Sequence, residues 1–334
     1  MKRLLLPALL FTTLTACTAA PADTLPAAAP TPTPASTPAP TAAPAPADAL
    51  TPEEKIGQLF IIRPDALDLT LPQETINDAK ADGVTMLTDA MRETLQAYPV
   101  GGICQFGKNI TDPEQLAQFN ADLQAASRTP LFIAVDEEGG AVARLANHPA
   151  FDLPQYESAA AVGASGDPAD ACAMGQTIGA YLKEYGFNMD FAPDADVNTN
   201  PDNPIIGTRA FSSDAATAAE MAAAVMVGHI AAPNVTGDGT PATLSPQLVA
   251  LIPDAENTLI VTDSLAMDAI TAAYTPGEAA VQALQAGCDV LLMPNSLPEA
   301  YAAVLEAVQN GTISEERLDR SVNKILLYKQ QFAS

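Results

Sequence analysis

Three short apolar segments of this 334-residue chain end in carboxylates. One closes with Val135-Asp136-Glu137-Glu138-Gly139-Gly140 and is followed by Arg144; a second runs into Asp194, Asp196, Asn198 and Asn200; a third ends in Thr262-Asp263-Ser264. A single carboxylate at a strand end has a plain structural use as the cap of the next helix. Three on one face of a parallel sheet suit a polyhydroxylated, uncharged or weakly charged ligand. Carboxylates accept hydrogen bonds from sugar hydroxyls, and one of them can attack an anomeric carbon. The two histidines add little to that chemistry. His229 lies inside an apolar segment and reads as structural, while His148 follows the Asp136 segment on the same side, where His148-Pro149 reads as a loop turn. Cys104, Cys172 and Cys288 have no metal-type spacing and read as buried free thiols, with a disulfide between two of them as the alternative in an oxidising compartment. No metal and no organic cofactor are implied, because hydrolysis of this kind needs only side chains and water.

Positioning these groups requires strand ends gathered on one side of a sheet. Seven segments read as strands: Gln58 to Arg63, Gly101 to Phe106, Leu131 to Asp136, Met189 to Val197, Val225 to Ile230, Leu259 to Asp263 and Asp289 to Met293. They alternate with helical stretches that carry start signals. Thr51-Pro52-Glu53-Glu54 and Thr275-Pro276-Gly277-Glu278 are capping boxes with Pro at the first helical position, and Thr111 with Glu114 repeats the spacing. Ser314 to Tyr328 places Leu318, Val322, Ile325 and Leu326 on one stripe, an amphipathic C-terminal helix. Near-continuous apolar strands between helices predict an α/β fold with a parallel sheet covered on both faces, most simply a (β/α)8 barrel. An open doubly wound sheet is the alternative, but the first strand is followed by no Gly-rich phosphate turn. A closed eightfold barrel needs one more strand than the sequence offers.

The balance of 15 basic against 40 acidic residues gives a formal charge of −25, which excludes a nucleic-acid partner that binds through clustered Lys and Arg. With 48% hydrophobic and 16% charged residues, the chain can still bury a large core. Residues 1–16 read as a secretory signal, since Lys2 and Arg3 precede an apolar run too short to span a bilayer. Leu14-Thr15-Ala16-Cys17 resembles a bacterial lipobox, which predicts acylation of Cys17 and a lipid anchor to the membrane, outside the cytoplasm. Residues 17–48 hold nine prolines and no aromatic side chain and read as an extended tether. The folded domain is expected over residues 49–334.

From about Leu50 onward the chain resembles family 3 glycoside hydrolases, specifically their single-domain β-N-acetylhexosaminidase branch. The stretches that carry the resemblance are Glu53-Glu54-Lys55-Ile56-Gly57-Gln58-Leu59-Phe60, Phe132 to Gly140 with Arg144, Asn188 to Arg209, and Ile260 to Met267. The resemblance implies that Asp263 is the nucleophile of a retaining glycosidase. It likewise implies that Asp136, Arg144 and Arg209 bind the N-acetylated sugar of an oligosaccharide or cell-wall glycan. It also implies a departure. The family has a helix, a fifth strand and a mobile loop with the acid/base histidine after its fourth strand; here Ser213 to Ala224 runs straight into Val225 to Ile230, which resembles the sixth strand. The barrel is therefore expected to lack one strand-helix unit, with the join near Ala223. Three readings follow: a hydrolase impaired by that loss, a non-catalytic lipoprotein that binds the same sugar, or a defective deletion product with exposed strand edges.

Overall fold

The computed structural model describes residues 46–200, 202–221 and 226–332. Its strands are β1 (Phe60–Ile62), β2 (Gly102–Cys104), β3 (Phe132–Val135), β4 (Glu137–Gly139), β5 (Val142–Ala143), β6 (Met189–Asp190), β7 (Met226–Val227), β8 (Val261–Thr262) and β9 (Leu291–Leu292). Each of the seven expected segments contains a strand, and β4 with β5 forms an additional antiparallel hairpin. Five strands pair in parallel in the order β6-β3-β2-β1-β9, and β7 pairs with β8. A bridge between Val261 and Val290 ties the two sheets together. The sequence of neighbours is that of a barrel wall in the β/α class, open between β6 and β7; among the described residues no ladder joins those two strands.

The central strands consist of residues that gain from leaving water on both faces, and they have done so. Phe60, Ile61, Ile103, Phe132, Ile133 and Val135 are fully buried, each large side chain contributing about 1.5–3 kcal/mol of burial free energy. The two strands that flank the opening are shorter than expected and less covered. β6 stops at Asp190 instead of reaching Val197, because Pro193 has no N–H for a ladder and, among the described residues, no strand pairs with its outer edge. β7 ends at Val227 instead of Ile230, and Ile230 is exposed. The helix read over Ser213 to Ala224 is Ala215–Met221.

Both Thr-Pro starts form capping boxes: Thr51 with Glu54 before the helix Pro52–Gln58, and Thr275 with Glu278 before Pro276–Ala286. At the third start the cap is Asp112, whose carboxylate accepts from the Gln115 amide, while Thr111 holds the Gln115 side chain. The carboxylate one residue later fits the Ncap position better than the Thr, since Pro113 already occupies the first helical position. The C-terminal helix spans Glu315–Phe332 with Leu318, Val322 and Ile325 buried and Leu326 packed half-exposed against the core.

Part of the stretch read as a tether packs onto the domain. Pro46–Ala49 is a 3-10 turn whose buried Ala47 donates its amide to Asn323 on the C-terminal helix. The signal segment, Cys17 and the rest of that stretch lie outside the described residues. All three described cysteines are free, and Cys104 and Cys288 are buried as expected. Cys172 is exposed, because it falls on the solvent face of the helix Pro168–Glu184. Among the described residues no helix is long and apolar enough to cross a membrane.

Candidate active site

The ends of β3, β6 and β8, together with the β4–β5 hairpin, carry the candidate residues. Asp136 follows β3 directly, and the hairpin brings Arg144 back so that its Nη2 donates to Asp136 Oδ2 at 2.9 Å. That return requires a tight turn. Gly139 and Gly140 make it with φ of +80° and +65°, and a Cβ on Gly140 would lie 2.9 Å from Ser158 Cα. The turn is fixed from below by Glu137, which is fully buried. Its carboxylate accepts from the amides of Leu145 and Ala146 at 2.9 Å each and from the Tyr181 hydroxyl at 2.8 Å. Neighbouring residues of a strand face opposite ways, so Glu138 points elsewhere and takes a bidentate pair from Arg209 at 2.8 and 2.7 Å. Arg209 Nη2 also lies 3.2 Å from Asp194 Oδ2, a charge contact outside hydrogen-bond geometry.

This packing of carboxylates shows in their acidities. Burial pushes Glu138 above the ordinary carboxylate range despite Arg209. Asp190 accepts the Glu137 amide at 3.0 Å and is driven up to about 8, first by burial and then by the charges of Glu137, Asp136 and Glu138. Asp196 is raised by burial and by Asp194, with Asp263 also contributing, which places its carboxyl within electrostatic reach of Asp263. Asp263 itself is half-buried at the end of β8, and its Oδ1 accepts the Ser264 amide at 2.6 Å.

The structure thus brings Asp136 and Arg144 into direct contact. It links Arg209 to their hairpin through Glu138 and to the Asp194–Asp196 segment. Sequence reasoning missed Glu137 and Asp190, because in an Asp-Glu-Glu run nothing but the direction of each side chain separates a group that holds the loop from one that faces a ligand. His148 lies in a turn as read, whereas His229, read as lying within the strand Val225 to Ile230, falls just beyond β7. His229 contacts Thr243 Oγ1 at 2.9 Å through Nδ1 and the Ser264 carbonyl at 2.8 Å through Nε2. His148 sits in a turn, its Nδ1 accepting the Ala150 amide and its ring edge-on to Phe151. Among the described residues no group of three or more His, Cys, Asp or Glu is arranged to hold a metal ion.

Buried polar atoms normally have partners, and the exceptions are concentrated here. Of the five buried side-chain N or O atoms without one among the described residues, four are Arg144 Nε, Asp194 Oδ2, Asn198 Oδ1 and Ser264 Oγ. All four sit on the strand-end segments that carry the candidate residues.

The profile of the glycosyl hydrolase family 3 N-terminal domain matches residues 51–225 and 220–327. The chain belongs to glycosyl hydrolase family 3. The family match comes in two pieces that overlap at residues 220–225. Beta-hexosaminidase A of Pseudoalteromonas piscicida is 26% identical over 333 aligned positions, covering 74% of this chain and 56% of the relative. Beta-hexosaminidase LpqI of Mycobacterium tuberculosis is 25% identical over 362 positions, covering 84% of this chain and 83% of the relative. Since 84% of 334 residues is about 281, roughly 81 of those 362 positions have no counterpart in this chain. A solved family 3 β-N-acetylglucosaminidase from Paenibacillus is 31% identical with a TM-score of 0.68, covering 85% of this chain and 63% of that one. The chain therefore spans little more than half the length of the Pseudoalteromonas protein.

Proposed function

We propose that this family 3 chain is a retaining glycosidase of the β-N-acetylhexosaminidase type, acting on N-acetylglucosamine-containing glycosides of cell-wall or chitin type. The observation that carries the proposal is the cluster of orphaned buried polar atoms around Asp136–Arg144, Asp194 and Ser264, which a polyhydroxylated ring is chemically suited to satisfy. The names of the relatives support the choice of an N-acetylated sugar. In this reading Asp263 attacks the anomeric carbon and forms a glycosyl-enzyme that water then hydrolyses. Arg144 offers its unpaired Nε to the sugar while Asp136 holds its Nη2. Arg209 acts by fixing Glu138 and Asp194, whose remaining lone pairs accept from hydroxyls.

The proton donor is the weak point of the machinery. Both nitrogens of His229 are occupied and His148 is tied into its own turn, so neither described histidine replaces the acid/base group. Its loss costs about 100-fold to 10,000-fold in rate when the departing group needs a proton. We further propose that acylated Cys17 holds the domain outside the cytoplasm, at the bacterial cell membrane.

The test compares a nitrophenyl N-acetyl-β-glucosaminide with N,N′-diacetylchitobiose. Slow release from the aryl glycoside is expected, with far slower cleavage of the disaccharide, and Asp263→Ala removes both. A fluorinated-sugar label should map to Asp263; a label on Asp194 or Asp196, or one that survives Asp263→Ala, overturns the assignment. The engagement of both His229 nitrogens and the local turn of His148 also favour a second reading, a sugar-binding lipoprotein without turnover. Sugar binding with no hydrolysis of either substrate would establish it.

A further inference from the structure

Beside the Asp136–Arg144 pair lies a cavity of about 250 Å³ lined by Arg63, Asn77, Asp78, Phe106, Lys108 and Arg144, among others. Ligand pockets for drug-sized molecules run to about 300–1,000 Å³, so this one has room for a substituent and not for a second molecule of glycan. Its charge is out of character with the chain. In a protein of formal charge −25, the guanidinium groups of Arg63 and Arg144 stand 4.6 and 5.6 Å from the centre of a single ring, that of Phe106.

These two cations are not neutralised equally. Arg144 has Asp136. Arg63, positioned immediately after β1, has no carboxylate within 4 Å among the described residues. Its donors go to neutral acceptors: Nη1 to the Ile76 carbonyl at 3.3 Å and Asn77 Oδ1 at 2.9 Å, and Nε to Met293 Sδ at 3.3 Å. Burial lowers its pKa, as expected of a cation short of compensation. Lys108 is by contrast fully used, on the carbonyls of Thr75, Ile76 and Asp78 and on Asp65 at 3.4 Å. Pinning the loop at residues 76–77 uses only part of the Arg63 fork. Arg63 Nη2 takes no part in these bonds, Arg144 Nε is buried without a partner among the described residues, and the two planar guanidinium groups are of the kind that match an oxyanion.

We infer that this cavity receives an oxyanion substituent of the glycan, a carboxylate or a sulfate ester, held by Arg63 and Arg144 across Phe106. The inference deepens the proposed function, because it takes Arg144 as a sugar-contacting residue, and it makes Arg63 a specificity determinant. An acidic surface repels anions at long range, so a glycan carrying one is selected only if this local site outweighs the overall field.

The experiment is calorimetric titration of the full chain with N-acetylglucosamine, N-acetylglucosamine 6-sulfate, N-acetylmuramic acid and inorganic sulfate. At least one charged sugar should bind about 10-fold or more tighter than the neutral one. That advantage should shrink between roughly 0.02 and 0.5 M salt, while neutral-sugar affinity stays put. Arg63→Gln, which removes the cation and shortens the side chain, should erase the preference and leave N-acetylglucosamine binding unchanged. The salt series on the unmodified protein decides the matter even if that variant folds poorly. A charged sugar bound no tighter than the neutral one overturns the inference, as does a preference untouched by Arg63→Gln or by salt, or binding of free sulfate alone. Arg63-dependent binding of a charged sugar without any affinity for N-acetylglucosamine would uphold the cavity and refute the N-acetyl-sugar reading; no binding of any sugar refutes both.

Discussion

Replacing Glu137 by Gln preserves the shape of the side chain and removes one of its two acceptor atoms. The native carboxylate serves three donors: Leu145 N on Oε2, and Ala146 N and the Tyr181 hydroxyl on Oε1. Whichever way the Gln amide turns, its NH2 faces at least one backbone N–H in a fully buried place. An unsatisfied buried donor costs about 1–3 kcal/mol, and bonds that change from charged to neutral weaken by roughly 1 kcal/mol each. Removing a buried charge returns part of its desolvation cost. The expected net loss is about 2–4 kcal/mol, a large share of the roughly 5–15 kcal/mol that holds a domain together. Since Leu145 and Ala146 immediately follow Arg144, the same change frees the arginine to turn away from Asp136, and sugar affinity should fall with stability. Urea unfolding at neutral pH with the slope unchanged measures the first effect, and sugar titration in the absence of urea measures the second. A shift below about 0.5 kcal/mol, within the range of an ordinary surface substitution, would refute the claim that Glu137 holds the hairpin.

Lys329 is buried against Phe132 and donates to Gln58 Oε1, and burial lowers its pKa to about 7. Between that value and the ordinary lysine range the unfolded chain holds a proton that the folded one does not. Stability should therefore rise with pH in that window by up to about 1.4 kcal/mol per unit relative to Lys329→Met; a constant difference between the two proteins contradicts this. Gly140→Ala places a Cβ at φ +65° and 2.9 Å from Ser158 Cα, so melting should show a loss of about 1–3 kcal/mol, and an unchanged melt would show that the turn relaxes freely. In membrane fractionation Cys17→Ala should move to the soluble fraction; undiminished membrane binding rules out an acyl anchor.

Strand positions were legible because burial on both faces leaves a mark on composition: Phe60-Ile61-Ile62 and Phe132 to Val135 have no polar residue to place. Helix starts were legible because a Thr-Pro-x-Glu cap is satisfied within four residues. Asp136, Arg144, Arg209 and Asp263 could be named from family resemblance, and their types fit sugar chemistry. Their relations could not be read so directly. Which of Glu137 and Glu138 faces inward depends on a hairpin whose turn lies at two glycines of positive φ, and the partners of Arg209 come from residues 15 and 71 positions away. Arg63 escaped attention for a similar reason. Its lack of a carboxylate is a property of three-dimensional surroundings, and in sequence it stands two residues from Asp65, which is spent on Lys108, Asn109 and Val84.

The position of the opening explains how the chain can lose a strand-helix unit and keep a packed core. β1, β2 and β3 each have a paired neighbour on both sides, and the fully buried Phe60, Ile61, Ile103, Phe132 and Ile133 belong to them. The opening lies across the ring, between β6, whose two residues are only half-buried, and β7, where Met226 is exposed. Most of the apolar burial therefore does not depend on the absent unit, which argues against a chain that fails to fold. The cost is chemical. Asp263 follows β8, on the far side of β7 from the break, and Asp136 follows β3, on the far side of β6. In the proposed reading the attacking and binding groups are thus supported by paired strands, while the proton donor that the family resemblance implies falls in the segment whose loss the core tolerates. An activated leaving group separates those two halves of the reaction, because it needs the nucleophile and can depart without the acid.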